Sequence, residues 1–341
     1  MKSYERVMRA VGLSEADRVP VVPQVTYATA KVAKISFTDG ARDAGKMADA
    51  LLKGWRKLRY DGIYVGWEPS FNLVAEAMGC TLTSPERGTP SVSKPIIENT
   101  EDLRRITVPD PNRDGRLPLH LNAIRLVRSM AGRDVPLFSY IPGPLTLAGL
   151  LRGTKKLLVE LVTKKGSIHD ILELTTAASI EFGLAKLDAG IDVAVVADPT
   201  SSSSMVSPKI FDEFSLPHIE QITSKIKRRG IPSLHICGRT APILEGMART
   251  GAKILELDSQ VDLAQAKRTV GSSVCLQGNV DTGKLLMGEP QTILEESHRC
   301  IESCARGGGF ILSSGCEVPI DTPQENISAM VEAAERFGSY S

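Results

Sequence analysis

The sequence predicts an α/β protein, a (β/α)₈ barrel in a single domain (residues 1–341) with an insertion between its second and third strands. Three observations predict it. About eight short apolar runs of strand length alternate with longer stretches of helical periodicity. The alternation runs nearly from end to end, with no low-complexity tail, internal repeat or flexible linker. The 341 residues also exceed the roughly 250 of such a barrel, leaving length for an insertion.

Tyr4 to Gly12 reads as a short amphipathic helix, and Asp17-Arg18-Val19-Pro20 leads into Val21 to Tyr27, the expected first strand. Ala41 to Tyr60 carries Met47, Ala48, Leu51, Leu52, Trp55 and Leu58 at helical spacing, and Gly62 to Gly66 follows as the second strand. Cys80 to Pro111, with five prolines and mixed charge, is the expected excursion. Pro118 starts a helix over Leu119 to Ala131, before a strand at Pro136 to Tyr140. Helices over Leu157 to Lys164 and Ile168 to Ala189 precede the strand Val193 to Ala197. Phe211 to Arg229 precedes Ser233 to Ile236, and Pro242 to Thr250 precedes Ile254 to Leu257. Leu263 to Arg268 precedes Val274 to Gln277, and Gln291 to Ala305 precedes Phe310 to Ser313. Gln324 to Phe337 is the last helix. A doubly wound open sheet competes with the barrel, but no glycine-rich dinucleotide fingerprint follows the first strand. Gly307-Gly308-Gly309 precedes a strand and so ends a helix, rather than opening one around a phosphate.

Composition narrows the function classes. Lys plus Arg (41) nearly balances Asp plus Glu (40), which gives no surplus to attract nucleic acid or an anionic membrane. No run of 18 apolar residues occurs, and the first residues lack an apolar signal segment, so a cytoplasmic location is expected. Six cysteines in such a chain point to metal binding or catalysis, not to a disulfide scaffold.

The chemistry concentrates at strand ends. His235 and Cys237 are one residue apart, so on a strand both side chains share a face. With Cys316, also at a strand end, they make three soft ligands and leave one position open, the pattern of a catalytic zinc. Thiolate and imidazole together favour Zn²⁺ over redox-active iron. Asp198, at the end of the fourth strand, is expected to orient His235 or to contact substrate, or else to cap the serine run Ser201 to Ser204. Asp258 ends its strand two residues after Glu256 and is the better site candidate of the two; Glu256 fits a barrel-interior pair. Gln277 and Asn279 flank Gly278 and offer amides to a cofactor or substrate, or shape the loop. Glu317 is a candidate temporary fourth ligand. Cys275, Cys300 and Cys304 read as inert, and His120, His169, His218 and His298 as surface or core residues.

Taken together, six segments resemble the uroporphyrinogen decarboxylase superfamily, and within it the zinc-dependent methylcobalamin:coenzyme M methyltransferases. They are Asp17-Arg18-Val19-Pro20, Gly143-Pro144-Leu145-Thr146-Leu147-Ala148, Met205-Val206-Ser207-Pro208, His235-Ile236-Cys237-Gly238, Gln277-Gly278-Asn279-Val280-Asp281 and Ser314-Gly315-Cys316-Glu317-Val318-Pro319. Decarboxylases of that superfamily carry an arginine-rich segment after the first strand; here Gln24 to Lys31 holds no arginine. The resemblance implies transfer of a methyl group from a methylcorrinoid to a thiol such as coenzyme M, with Zn²⁺ on His235, Cys237 and Cys316. Arg239 is then a candidate for the anionic group of that thiol. No Asp-X-His-X-X-Gly corrinoid motif occurs, so a separate corrinoid-carrying protein is expected as partner, with methylcobalamin as a surrogate. A metal-free decarboxylase, methyl transfer to a folate and a non-catalytic corrinoid-binding barrel stay open as alternatives.

Overall fold

In the computed structural model, which describes residues 1–83 and 89–340, seven strands form one parallel sheet. They are β1 (Ile63–Tyr64), β4 (Leu137–Pro142), β5 (Val193–Ala197), β6 (Ile231–Ile236), β7 (Ile254–Leu257), β8 (Cys275–Val280) and β9 (Phe310–Ser314), hydrogen-bonded in that order. Neighbouring strands run parallel, so each return crosses over, and it does so through helices such as Leu117–Ala131, Lys165–Ala189, Leu216–Ile226 and Pro290–Cys304. The fold is α/β, as the alternation requires.

The strand residues are buried on both faces, which is why the strands read as continuous apolar runs. Val22, Phe138, Val193, Val195, Ile254 and Ile311 belong to one apolar cluster with Tyr64. The alternate residues (Val196, Leu234, Leu255, Leu276) belong to a second cluster with the helices. Each such side chain contributes about 1.5–3 kcal/mol by leaving water.

The expected first strand differs. Val21 makes only a single parallel bridge, to Leu312 of β9. Val22 N–H donates to Leu312 O (2.8 Å), Leu312 N–H to Pro20 O (2.9 Å), and Asp61 N–H to Val21 O (2.6 Å). The segment therefore touches both edges of the sheet. Pro20 and Pro23 have no N–H to extend a ladder, and the chain soon turns into the helix Thr29–Ala33. Charged groups fasten its start: Asp61 accepts from Arg6 (2.6 Å), Arg18 (2.8 Å) and the Val21 N–H (2.9 Å), and Arg6 also grips Asp17 (2.6 Å). The Arg6 hydrogen bond holds the Asp17 carboxyl below the usual range.

Within Cys80 to Pro111, β2 (Thr81–Thr83) pairs antiparallel with β3 (Ser91–Lys94); residues 84–88 of this stretch lie outside the described ones. Among the described residues no helix is long and apolar enough to cross a membrane.

Candidate metal centre

β6 brings His235 to the carboxyl end of the sheet, and Cys237 follows just beyond the strand. The chain must then turn sharply. Gly238 does so at φ +79, where a Cβ would lie 2.9 Å from Ser204 Oγ and 3.2 Å from Ser202 Oγ. Only glycine meets both demands cheaply. Cys316 arrives from the end of β9.

His235 Nε2 lies 2.9 Å from Cys237 Sγ and 3.6 Å from Cys316 Sγ, and the two sulfurs are 3.4 Å apart. These ligand atoms are the group of His, Cys, Asp or Glu able to hold a metal among the described residues. Tetrahedral zinc, with bonds of about 2.3 Å to sulfur and about 2.0 Å to nitrogen, needs edges of about 3.8 Å and about 3.6 Å. Two edges come close. The shorter His235–Cys237 edge is a hydrogen bond between two groups that a cation would draw apart. The donor set fits zinc.

The protons tell the same story. Cys316 accepts the Cys237 S–H and, with His235 beside it, its thiol is held down at about 4. Cys237, as that donor and buried, is pushed up. Burial works against charge on His235, yet the hydrogen bond and charge of Cys316, then Glu256 and Asp258, carry it up to about 9. The trio already stabilises cation beside thiolate, the charge pattern a metal would replace.

Beneath it runs a polar row set by strand register, in which Ala197, His235, Glu256 and Gln277 are successive partners. Glu256, fully buried, accepts at Oε1 from Tyr64 Oη (2.8 Å) and Ser233 Oγ (2.9 Å). Its Oε2 faces His235 Nδ1 across 3.7 Å, and both atoms are buried without another partner. A proton on Nδ1 pointing at Glu256 leaves Nε2 free as a ligand, the arrangement that fixes the tautomer of metal-binding histidines.

The other expected site residues sit as follows. Asp198 is buried, but its carboxylate accepts from the Thr146 N–H (2.7 Å) and Ser201 Oγ (2.7 Å); the carboxylate facing His235 is Glu256. Asp258 Oδ2 accepts from the Gly238 N–H (2.8 Å) and so holds the turn after Cys237. Gln277 lies in the buried row, donating to Tyr64 Oη (2.7 Å). Asn279 donates to Asp258 O (2.9 Å) and Val261 O (2.8 Å), shaping the loop. Arg239 is exposed and donates to Ser203 O (3.2 Å). Glu317 accepts from the N–H (3.0 Å) and hydroxyl (2.6 Å) of Thr26, and burial raises its carboxyl to about 8.

The trio opens onto a cavity of about 170 Å³. Gln24, Thr26 and Tyr27 line one side, and Tyr140 stands against His235 with ring centroids 6.3 Å apart. Val65, Pro69 and Phe71 add apolar wall. His120, read from the sequence as a surface or core residue, and Lys186, which the sequence did not single out, line it too. The signal for Lys186 was its place four residues after Phe182, on the buried face of its helix.

A family model described as uroporphyrinogen decarboxylase (URO-D) matches residues 2–337. The methylcobamide:CoM methyltransferase MtaA of Methanosarcina barkeri is 32% identical over 78% of this chain and 77% of its own. The methylcobamide:CoM methyltransferase MtbA of Methanosarcina acetivorans is 28% identical over 98% and 97%. A solved methyltransferase from Methanosarcina mazei superposes with a TM-score of 0.91 at 28% identity, covering 99% of both chains. Motifs, fold and both kinds of similarity agree: the chain belongs to the uroporphyrinogen decarboxylase family.

Proposed function

We propose that this protein is a zinc-dependent methyltransferase that moves a methyl group from a methylated corrinoid to a thiol such as coenzyme M. It does so in the cytoplasm and on a single (β/α)₈ barrel, in which the Val21 segment serves as the eighth stave. One observation carries the reading: two thiols and an imidazole converge on a cavity whose Gln24–Tyr27 side carries no cation. The methyltransferase relatives support the reaction class. A porphyrinogen decarboxylase would need cations on that side for substrate carboxylates.

His235, Cys237 and Cys316 would hold the metal. When bound there, Zn²⁺ lowers the pKa of a coordinated thiol, so that the sulfur is ionised at neutral pH. The rest falls to the chain's own residues. Glu256 keeps the His235 proton on Nδ1, Asp258 holds the Gly238 turn, and the apolar walls limit water around the sulfur. The substrate sulfur attacks the methyl carbon in line; the new C–S bond forms as the cobalt–carbon bond breaks, and its electron pair leaves with the corrinoid. A separate protein supplies that corrinoid.

Methyl transfer from methylcobalamin to a panel of thiols and to tetrahydrofolate, followed by corrinoid absorbance, tests the reading. Thiol-dependent demethylation that disappears on chelation and returns with zinc is expected. Transfer to folate alone, or to no acceptor with zinc bound, would overturn it.

A further inference from the structure

Beneath the metal trio, three polar side chains lie in the barrel interior without reaching the cavity. Tyr64 of β1, Glu256 of β7 and Gln277 of β8 are each 0% exposed, and none of them lines the cavity. Barrel interiors are ordinarily filled by branched apolar side chains. This row also leaves Gln277 Oε1 buried without a partner, a cost that a purely structural core would avoid. The sequence offered the Gln277 amide to a cofactor or substrate, but the fold turns it to Tyr64 instead.

The hydrogen bonds of the row run in one direction. Gln277 Nε2 lies 3.3 Å from Val22 O, so the amide nitrogen must face that carbonyl; the reverse orientation would set two acceptors against each other. The same nitrogen donates to Tyr64 Oη (2.7 Å). Tyr64 therefore sends its own proton to Glu256 Oε1 (2.8 Å), to which Ser233 Oγ also donates (2.9 Å). With Oε1 filled, the oxygen left to Glu256 is Oε2, which faces His235 Nδ1 across 3.7 Å. The phenol is held in place as well, because its ring packs on Phe138 and Tyr140 with centroids 5.1 Å and 5.2 Å away.

We infer that Gln277 and Tyr64 are positioning residues for the metal: they fix which oxygen Glu256 presents to His235, and so which ring nitrogen is left for the metal. The inference rests on the zinc site of the proposed function and not on methyl transfer.

Zinc affinity, read by competition with a chromophoric chelator, tests it in Tyr64→Phe, which keeps the ring and removes only the donor. A loss of about threefold to tenfold is expected, smaller than for a direct partner of the histidine. Gln277→Met, which leaves the Tyr64 hydroxyl free to turn, should lose less. Adding Tyr64→Phe to Glu256→Gln should cost nothing more, because both act through one carboxylate. In nitrogen NMR spectra of the zinc-loaded protein, the His235 proton should sit on Nδ1. That signal should move in Tyr64→Phe, a change that a role in packing alone would not produce. Wild-type zinc affinity in Tyr64→Phe, or losses that add in the double variant, would overturn the inference and leave the zinc site intact. The expected coupling without any methyl transfer would sink the functional reading and leave the inference standing. A protein that binds no zinc would overturn both.

Discussion

His235 commits its two ring nitrogens to different tasks, Nε2 to the sulfurs and Nδ1 to Glu256. Losing the carboxylate should loosen the metal without unfolding the protein. Glu256→Gln is expected to weaken zinc retention about tenfold to a hundredfold, read by competition with a chromophoric chelator. Wild-type affinity would show that Glu256 does not orient the histidine. Cys237→Ala and Cys316→Ala should abolish zinc retention and thiol-dependent transfer together. At this scale the sequence was partly legible. His235 and Cys237 declare themselves because a strand's period of two puts them on one face, and glycine must follow. Glu256 was legible as one of a barrel-interior pair but not as the partner of His235, because that partnership depends on the register between β6 and β7, which no local pattern states. Lys186 was hidden because a lysine in a helix reads as solvated until packing shows otherwise.

The helix Pro144–Arg152 begins against β5's end, and Asp198 is the contact. Its carboxylate takes the Thr146 N–H of the helix's first turn, a capping role played from another strand. The fit leaves no room: a Cβ on Gly143 would fall 2.1 Å from Asp198 Cβ. Gly143→Ala should therefore lower stability by about 1–3 kcal/mol or more, seen as a lower midpoint in urea. An unchanged midpoint would mean that the two segments are not packed this way. Pro144–Arg152 is also instructive about elements. Helices with a polar face, such as Gln324–Phe337, were legible from periodicity. Pro144–Arg152 is buried nearly all round, so no polar face marks its period. The first strand failed for the opposite reason: Val21 to Tyr27 has strand-like residues, but Pro23, with Pro20 just before the stretch, removes the ladder.

For the whole molecule, the sheet's two edges share one irregular segment, fastened mainly by side chains. At one end Asp61, Arg6 and Arg18 clamp it; at the other Gln24 N–H donates to Ser314 Oγ (3.0 Å) and Val318 N–H to Gln24 O (2.9 Å). Part of the clamp is acid-labile. Asp17 has a depressed carboxyl, so its contribution is full above the ordinary Asp value of about 3.9 and fades as pH falls below it. With so few backbone bonds, this segment belongs to the low-stability end of the molecule. Hydrogen exchange should show it: the Val22 and Val25 amides should lose protection before those of Val195 and Leu234, and equal protection would refute the idea. Gln24, Thr26 and Tyr27 ride on this segment, so local opening of it would widen the cavity rim. A bulky planar methyl donor could then be admitted by local opening on one side, while the ligand-bearing strands stay still.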